Sequence, residues 1–223
     1  MTAAIGGIAG GVILIAVMPG FIAAEAIIPV HGLVQVSSNI SRALLGLKDI
    51  AWPIVLQYVA GAVVGVFIGS QFIVDFKWDM MPLFLGVFIL ITTWMPKFSS
   101  APNVPARFVL LGAVQTALSL FVGVAGPLNM PFLLRENLGR DRTVVTHAVQ
   151  MAAMHILKVM AFGLVGFAFG PYLHLVLGMV CAATLGSYAG TRVRTYVPET
   201  LFRQGLKILI TMLAIRMVIQ VLW

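Results

Sequence analysis

Two basic side chains stand inside apolar stretches of this chain, and both are surrounded by uncharged hydrogen-bonding groups. Gln35, Asn39, Arg42 and Gly46 are spaced i, i+4, i+7 and i+11, so a helix puts them on one face, with Ser38 and Ser41 flanking. A guanidinium offers a planar fork of donors that suits an oxyanion. His147, Met151, Met154, His155 and Lys158 form a second helical stripe, with Gln150 beside it. Lys158 lies too deep in its apolar segment to reach headgroups easily. A charge at the centre of a membrane helix costs roughly 2.5–3.5 kcal/mol, so such residues mark functional sites. The chemistry expected of these two stripes is the binding of a small anion. An imidazole ionises near neutral pH. His155 and the acidic Glu25 are therefore the expected carriers of a coupled proton. The alternative is a soft metal: the histidines and methionines of 147–155 could hold Cu(I), although Lys158 on the same stripe would repel a cation.

Interrupted helices supply a second kind of anion site. Half-helix N-termini expose unpaired N–H groups and the positive end of the helix dipole. Two long apolar stretches, 3–34 and 106–134, are broken near their middles, at Pro19-Gly20 and at Gly123 through Pro127. Gly20, Gly123 and Gly126 would let backbone approach an anion there, and Asn129 would add a polar side chain. In transporters built from inverted repeats, two such broken helices meet near the midplane and form the site.

The elements that must position these residues follow from composition. The chain has 223 residues, 14 basic and 7 acidic, with 61% apolar and 9% charged residues; mean hydropathy is +1.05. A soluble domain carries about 25% charged residues, so a soluble enzyme and a disordered chain are both excluded. Continuous rather than alternating apolar runs exclude a β-barrel. No basic n-region of a signal peptide precedes the first apolar run, and Cys181, alone in an apolar run, reads as a packing residue. The basic residues lie in short clusters between apolar runs, which indicates membrane orientation rather than nucleic-acid binding. A spanning helix needs about 20 apolar residues. Segments 52–74, 143–169, 171–191 and 201–223 meet this, 80–96 is shorter, and 38–50 is short and polar at its start. His31, after Pro29, reads as the end of a half-helix.

The two halves resemble each other. Gly61-x7-Gly69-Ser70 recurs as Gly178-x7-Gly186-Ser187, Asn39-x-x-Arg42 aligns with His155-x-x-Lys158, and Pro29 with Pro131. The expected fold is an all-α polytopic membrane protein of two inverted-topology repeats, 1–98 and 105–223, joined by a polar linker at 99–104. Each repeat would be a broken or re-entrant helix pair plus three transmembrane helices; the alternative is eight full spans. Lys48, Lys97, Arg107, Arg135, Arg140, Arg142, Arg192, Arg194, Arg203 and Lys207 then share one face, and Lys77 lies on the other beside Asp75 and Asp79. The positive-inside rule puts the first face in the cytoplasm of a multi-pass inner-membrane protein.

With these features in place, the chain resembles the sulfite exporter TauE/SafE family. The resemblance spans both halves. It rests on a broken segment followed by Pro29, the run Ser37-Ser38-Asn39 with Arg42, Trp52 opening the next helix, and the Gly61/Gly65/Gly69 stripe. The second half repeats it with Gly123, Pro131, Thr146, His147, Lys158 and the Gly178/Gly186/Gly190 stripe. The resemblance implies export of a small sulfur oxyanion, sulfite or an organosulfonate, coupled to the proton gradient. No cofactor is implied. The chain has no HExxH, no Gly-x-Ser-x-Gly and no phosphate-binding P-loop, so an enzyme is not expected.

Overall fold

The computed structural model describes residues 2–95, 106–193 and 199–222. The side chains of 2–9, 186–193, 199, 202 and 203 lie outside the described residues, as do Lys97, the linker 99–104 and Arg194. The expectations that rest on the side chains of Arg192, Arg203, Gly186, Ser187 and Gly190 fall outside them too.

Nine helices cover the described chain: α1 (Thr2–Val17), α2 (Ala24–Leu44), α3 (Trp52–Ser70), α4 (Met81–Trp94), α5 (Arg107–Val122), α6 (Met130–Arg135), α7 (Arg140–Leu164), α8 (Leu173–Val193) and α9 (Glu199–Leu222). No strand occurs among the described residues. Among the described residues, three helices are long and apolar enough to cross a membrane: α3, α7 and the Gln204–Leu222 part of α9. Trp78–Trp94, Arg107–Val122 and Gly170–Leu185 are shorter apolar helices. At 21 residues α2 is about 31 Å long, but its C-terminal half carries the polar residues Gln35, Ser37, Ser38, Asn39, Ser41 and Arg42.

One boundary differs from the sequence expectation. Segments 20–34 and 38–50 were to be separate elements, yet one helix runs through Ala24–Leu44. Nothing between Val34 and Ser38 breaks a helix, and Pro29 sits near the helix start. Gly32 stays helical and buried because its bare Cα admits neighbours: a Cβ there would lie 3.1 Å from Val159 and 3.2 Å from Lys158 Cε. The interruption falls instead at Gly46, ahead of a short 3-10 turn, Leu47–Asp49. The first half therefore holds the α1/α2 pair and two further helices rather than three. The second holds α5/α6 and three. His31 does not end a helix; it is fully buried inside α2.

Contacts set the helix directions. His31 meets His155, Gly32 meets Lys158 and Val159, and Gly46 meets Val145; α2 and α7 thus run antiparallel. Gly86 meets Ala214 and Met217, while Trp94 bonds Thr211 and stacks under the Lys207 ammonium; α4 and α9 are antiparallel too. Gly61 meets Val109, Gly65 meets Ala113 and Gly69 meets Ala117, so α3 and α5 run parallel. A Cβ on Gly61, Gly65 or Gly112 would overlap backbone of the facing helix. This small-residue seam lets the two backbones touch, as membrane helices do where no hydrophobic drive separates them from lipid. Its sequence counterpart differs. Gly178 on α8 meets nothing within 4 Å, and Cys181, expected to pack, is exposed.

The two breaks take different forms. The first is a tip, Met18–Ala23, where Gly20 adopts φ +97° and Arg216 of α9 donates to the Pro19 carbonyl at 3.4 Å. The second is a re-entrant excursion. Arg107 at the start of α5 pairs with Glu136 just past α6, so 107–136 enters and returns to the same end. Gly123 turns the chain with φ +69°, and Asn137 and Gly139, both at positive φ, turn it again into α7.

The glycine seam yields a contrast. Gly61→Ala should destabilise the protein by about 1–3 kcal/mol or more, as overpacking does, because the obstacle is backbone. Gly178→Ala should stay within about 0.5 kcal/mol. Thermal melts of the two variants in detergent measure the difference.

Candidate anion-binding site

The long α2–α7 crossing is polar at its centre. His31, Gln35, Asn39 and Arg42 of α2 and His147, Met151 and His155 of α7 line a cavity of about 30 Å³, closed on one side by Val124, Ala125, Gly126 and Pro127 of the α5 break. The i, i+4 spacing read in the sequence produces the two walls: 31, 35 and 39 on one helix, 147, 151 and 155 on the other. No acidic residue lines it. Arg42, half-buried in the last turn of α2, donates to Ser38 Oγ at 2.9 Å. Asn39 donates to the Gln35 carbonyl at 2.8 Å.

At the break that forms the third wall, the Ala125 and Gly126 carbonyls accept the backbone N–H groups of Leu128 and Asn129 at 3.1 and 3.2 Å, and side chains add further donors. Lys158 Nζ donates to the Gly123 carbonyl at 2.9 Å. Gln115 Nε2 donates to the Ala125 carbonyl at 2.6 Å, and His147 Nε2 lies 3.4 Å from the Gly126 carbonyl. His31 Nε2 meets the Gly11 carbonyl of α1 at 3.1 Å. A carbonyl only accepts, so both imidazoles hold their proton on Nε2 when neutral. His31 and His155 meet edge to face, with centroids 5.8 Å apart.

Other expected residues stand apart. Lys158 is fully buried but does not line the cavity. Asn129 and Gln150 are buried behind the wall, where Asn129 Nδ2 donates to Gln150 Oε1 at 2.8 Å; Asn129 Oδ1 and Gln150 Nε2 have no partner. Gly20 is exposed at the first tip and Glu25 is exposed in the first turn of α2, both outside the cavity lining. Met154 packs with Tyr58, Ala62 and Phe108 rather than facing the cavity. Three imidazoles share this cavity, yet among the described residues no three of His, Cys, Asp or Glu converge to hold a metal ion.

Sequence reasoning passed over His31 and Gln115 as site residues. Gln115 is buried, bonds the break, and accepts from the Tyr58 hydroxyl at 3.0 Å. The signal was present: Gln115, Thr116 and Ser119 are the polar residues of an otherwise apolar helix, and a buried polar group needs a partner. Thr146, noted only in the resemblance, accepts from the Ala51 N–H at 3.0 Å and joins the start of α3 to α7.

Apolar helices around an interior cavity that holds one arginine beside a broken helix define a class: a multi-pass helical membrane protein. The family model for the sulfite exporter TauE/SafE matches residues 1–217, and the chain belongs to that family of membrane transporters. No curated protein and no solved structure matches the chain.

Gln115→Leu should strip the side-chain donor from the Ala125 carbonyl, which keeps the Leu128 N–H, and take the Gln115 acceptor from the buried Tyr58 hydroxyl, at about 1–3 kcal/mol in total. Gln115→Glu keeps an acceptor for Tyr58 but offers no amide donor to Ala125. Both variants should melt below the wild type, and a Gln115→Leu variant that melts with it would show that the break is held otherwise.

Proposed function

We propose that the protein exports a small sulfur oxyanion, sulfite or an organosulfonate, across the cell's inner membrane, coupled to protons. One observation carries this reading: a half-buried arginine opens onto a cavity lined by three histidines and two amides, with no carboxylate in the lining. A bound anion needs compensating positive charge in a low-dielectric site, and Arg42 supplies it with fork geometry. Gln35, Asn39, His147 and His155 add hydrogen-bonding groups around the same space. Ser38 orients Arg42. Gly126 brings the break alongside, Gly123 turns the chain into it, and Asn129 with Gln150 braces it from behind. His155 is the cavity-facing group through which a proton would pass, in preference to the exposed Glu25.

Alternating access would proceed between two inverted repeats. The helix starts support the repeat: Ala24 and Arg140 are 116 residues apart, and Met81 and Glu199 are 118 apart. His31/His147, Gln35/Met151, Asn39/His155 and Arg42/Lys158 all differ by 116 as well. Three helices, α2–α4, correspond to α7–α9. An odd number of crossings reverses the second set, which accords with the antiparallel α2/α7 and α4/α9 pairs. Repeats of 1–98 and 105–223 around a linker at 99–104 remain the domain reading.

Arg42→Ala should weaken binding of sulfite or sulfoacetate to purified protein by more than tenfold, since truncating one partner of a buried charge pair costs about 2–5 kcal/mol. Arg42→Lys should fall between, because the charge remains and the fork is lost. Wild-type affinity in Arg42→Ala would overturn this site. For orientation, a cysteine at Arg140 should react with an impermeant thiol reagent only from the cytoplasm, and one at Lys77 only from outside. Labelling of both from one face would end the inverted-repeat reading.

A further inference from the structure

Lys158 has a place in the fold that the anion site does not explain. It is fully buried on α7, its Cε is packed against Gly32 of α2, and its Nζ donates to the Gly123 carbonyl at 2.9 Å. It is absent from the cavity lining, although His155, one turn before it, and His31, across from it, both belong to that lining. No Asp or Glu occurs among the buried polar residues described. An amine and an ammonium can both make the one N–H···O bond to Gly123, so the tether does not fix the charge. Its positive charge has no built-in counter-ion, and an uncompensated buried charge is heavily penalised. An anion in the cavity would be that counter-ion.

We propose that Lys158 holds the proton that travels with the anion, without touching the anion itself. The proposal rests on the transport reading above. The titratable groups beside Lys158 are His31 from α2, next to Gly32, and His155 from its own helix, one turn before it; the α5 break presents the Gly123 carbonyl. Arg42, at the other end of the cavity, acts on His147 and His155. His155 Nδ1 has no partner, which leaves the ring free to relay. A proton from cavity water adds to the imidazole, and the ring passes its other N–H proton to the Nζ amine. The ring returns to neutral, the amine becomes an ammonium, and one positive charge accompanies the one negative charge of the anion. Binding of proton and anion is then mutually favourable, by reciprocal linkage.

The test uses the full chain in detergent and methanesulfonate, a monoanion that does not titrate between about pH 5.5 and 8.5, unlike sulfite. In the wild type its affinity should rise as pH falls, approaching about tenfold per pH unit for one linked proton. Calorimetry in buffers of different ionisation enthalpy counts the protons taken up per anion. Lys158→Gln, which can still donate to Gly123 but cannot ionise, should bind more weakly and take up one proton fewer. Lys158→Arg, permanently charged, should bind tightly and also take up one fewer. Proton uptake in Lys158→Gln equal to the wild type overturns the proposal, as does a wild type that binds with no proton uptake. A folded wild type that binds neither methanesulfonate, sulfite nor sulfoacetate overturns the transport reading as well, which separates the two failures. Sulfite or sulfoacetate binding alone leaves the same proton count to be made on that anion, with the anion's own titration subtracted.

Discussion

A backbone break inside a lipid-embedded bundle has to find donors within the protein, because the bilayer offers none. The excursion between α5 and α6 carries the carbonyls of Gly123, Ala125 and Gly126 out of the α-helical ladder, and backbone N–H groups of Leu128 and Asn129 meet only the last two. Lys158, Gln115 and His147 answer them one by one. Much of the arrangement hangs on these three bonds. Those of Lys158 and His147 hold the break against α7, that of Gln115 ties it to α5, and the His147 contact fixes which nitrogen of that ring keeps the proton. The polar residues of α7 are thus structural partners first, and any part they take in handling an anion is added to that duty.

Close helix approach is the second requirement. Backbone contact along α3 and α5 is possible only because Gly61, Gly65 and Gly112 lack a Cβ. The parallel seam sets α5 beside α3 and α7, and Tyr58 on that seam reaches Gln115. From there the connection runs to the break through the Ala125 carbonyl. Apolar packing and the polar centre are therefore linked through one amide, with Met151 at its edge.

The antiparallel α2–α7 crossing gathers the cations and imidazoles. Arg42 sits at the end of α2, whereas Lys158 lies deep in α7, so residues at equivalent places in the two sequence halves meet different surroundings. Gly178 shows the same divergence: its counterpart Gly61 is locked against α5, while Gly178 faces open space. Equivalence in sequence survives in the helix starts and in the cavity spacing. It is lost at the breaks, where one half makes an open tip and the other a re-entrant turn.

Composition and spacing were enough to announce an all-helical protein of apolar segments, to find the two breaks, and to put Arg42, Asn39, Gln35, His147 and His155 on two helix faces that the fold brings to one cavity, because helical periodicity and the cost of buried charge act locally along the chain. His31 escaped notice because a histidine after a proline looks like a helix end, and only burial between two helices tells otherwise. Gln115, with Thr116 and Ser119, was visible as a polar group in an apolar helix, but what it bonds was not, because the Ala125 carbonyl lies ten residues away across a turn. The merging of 24–44 into one helix follows from the absence of a breaker between Val34 and Ser38, whereas only tertiary packing shows the close fit of Lys158 and Val159 against Gly32. Lys158 itself was legible as a buried cation, but whether it faced the cavity or the break was decided by where α5 turns. Such pairings join residues far apart in the chain through positions that no local pattern encodes, so tertiary packing alone settles them.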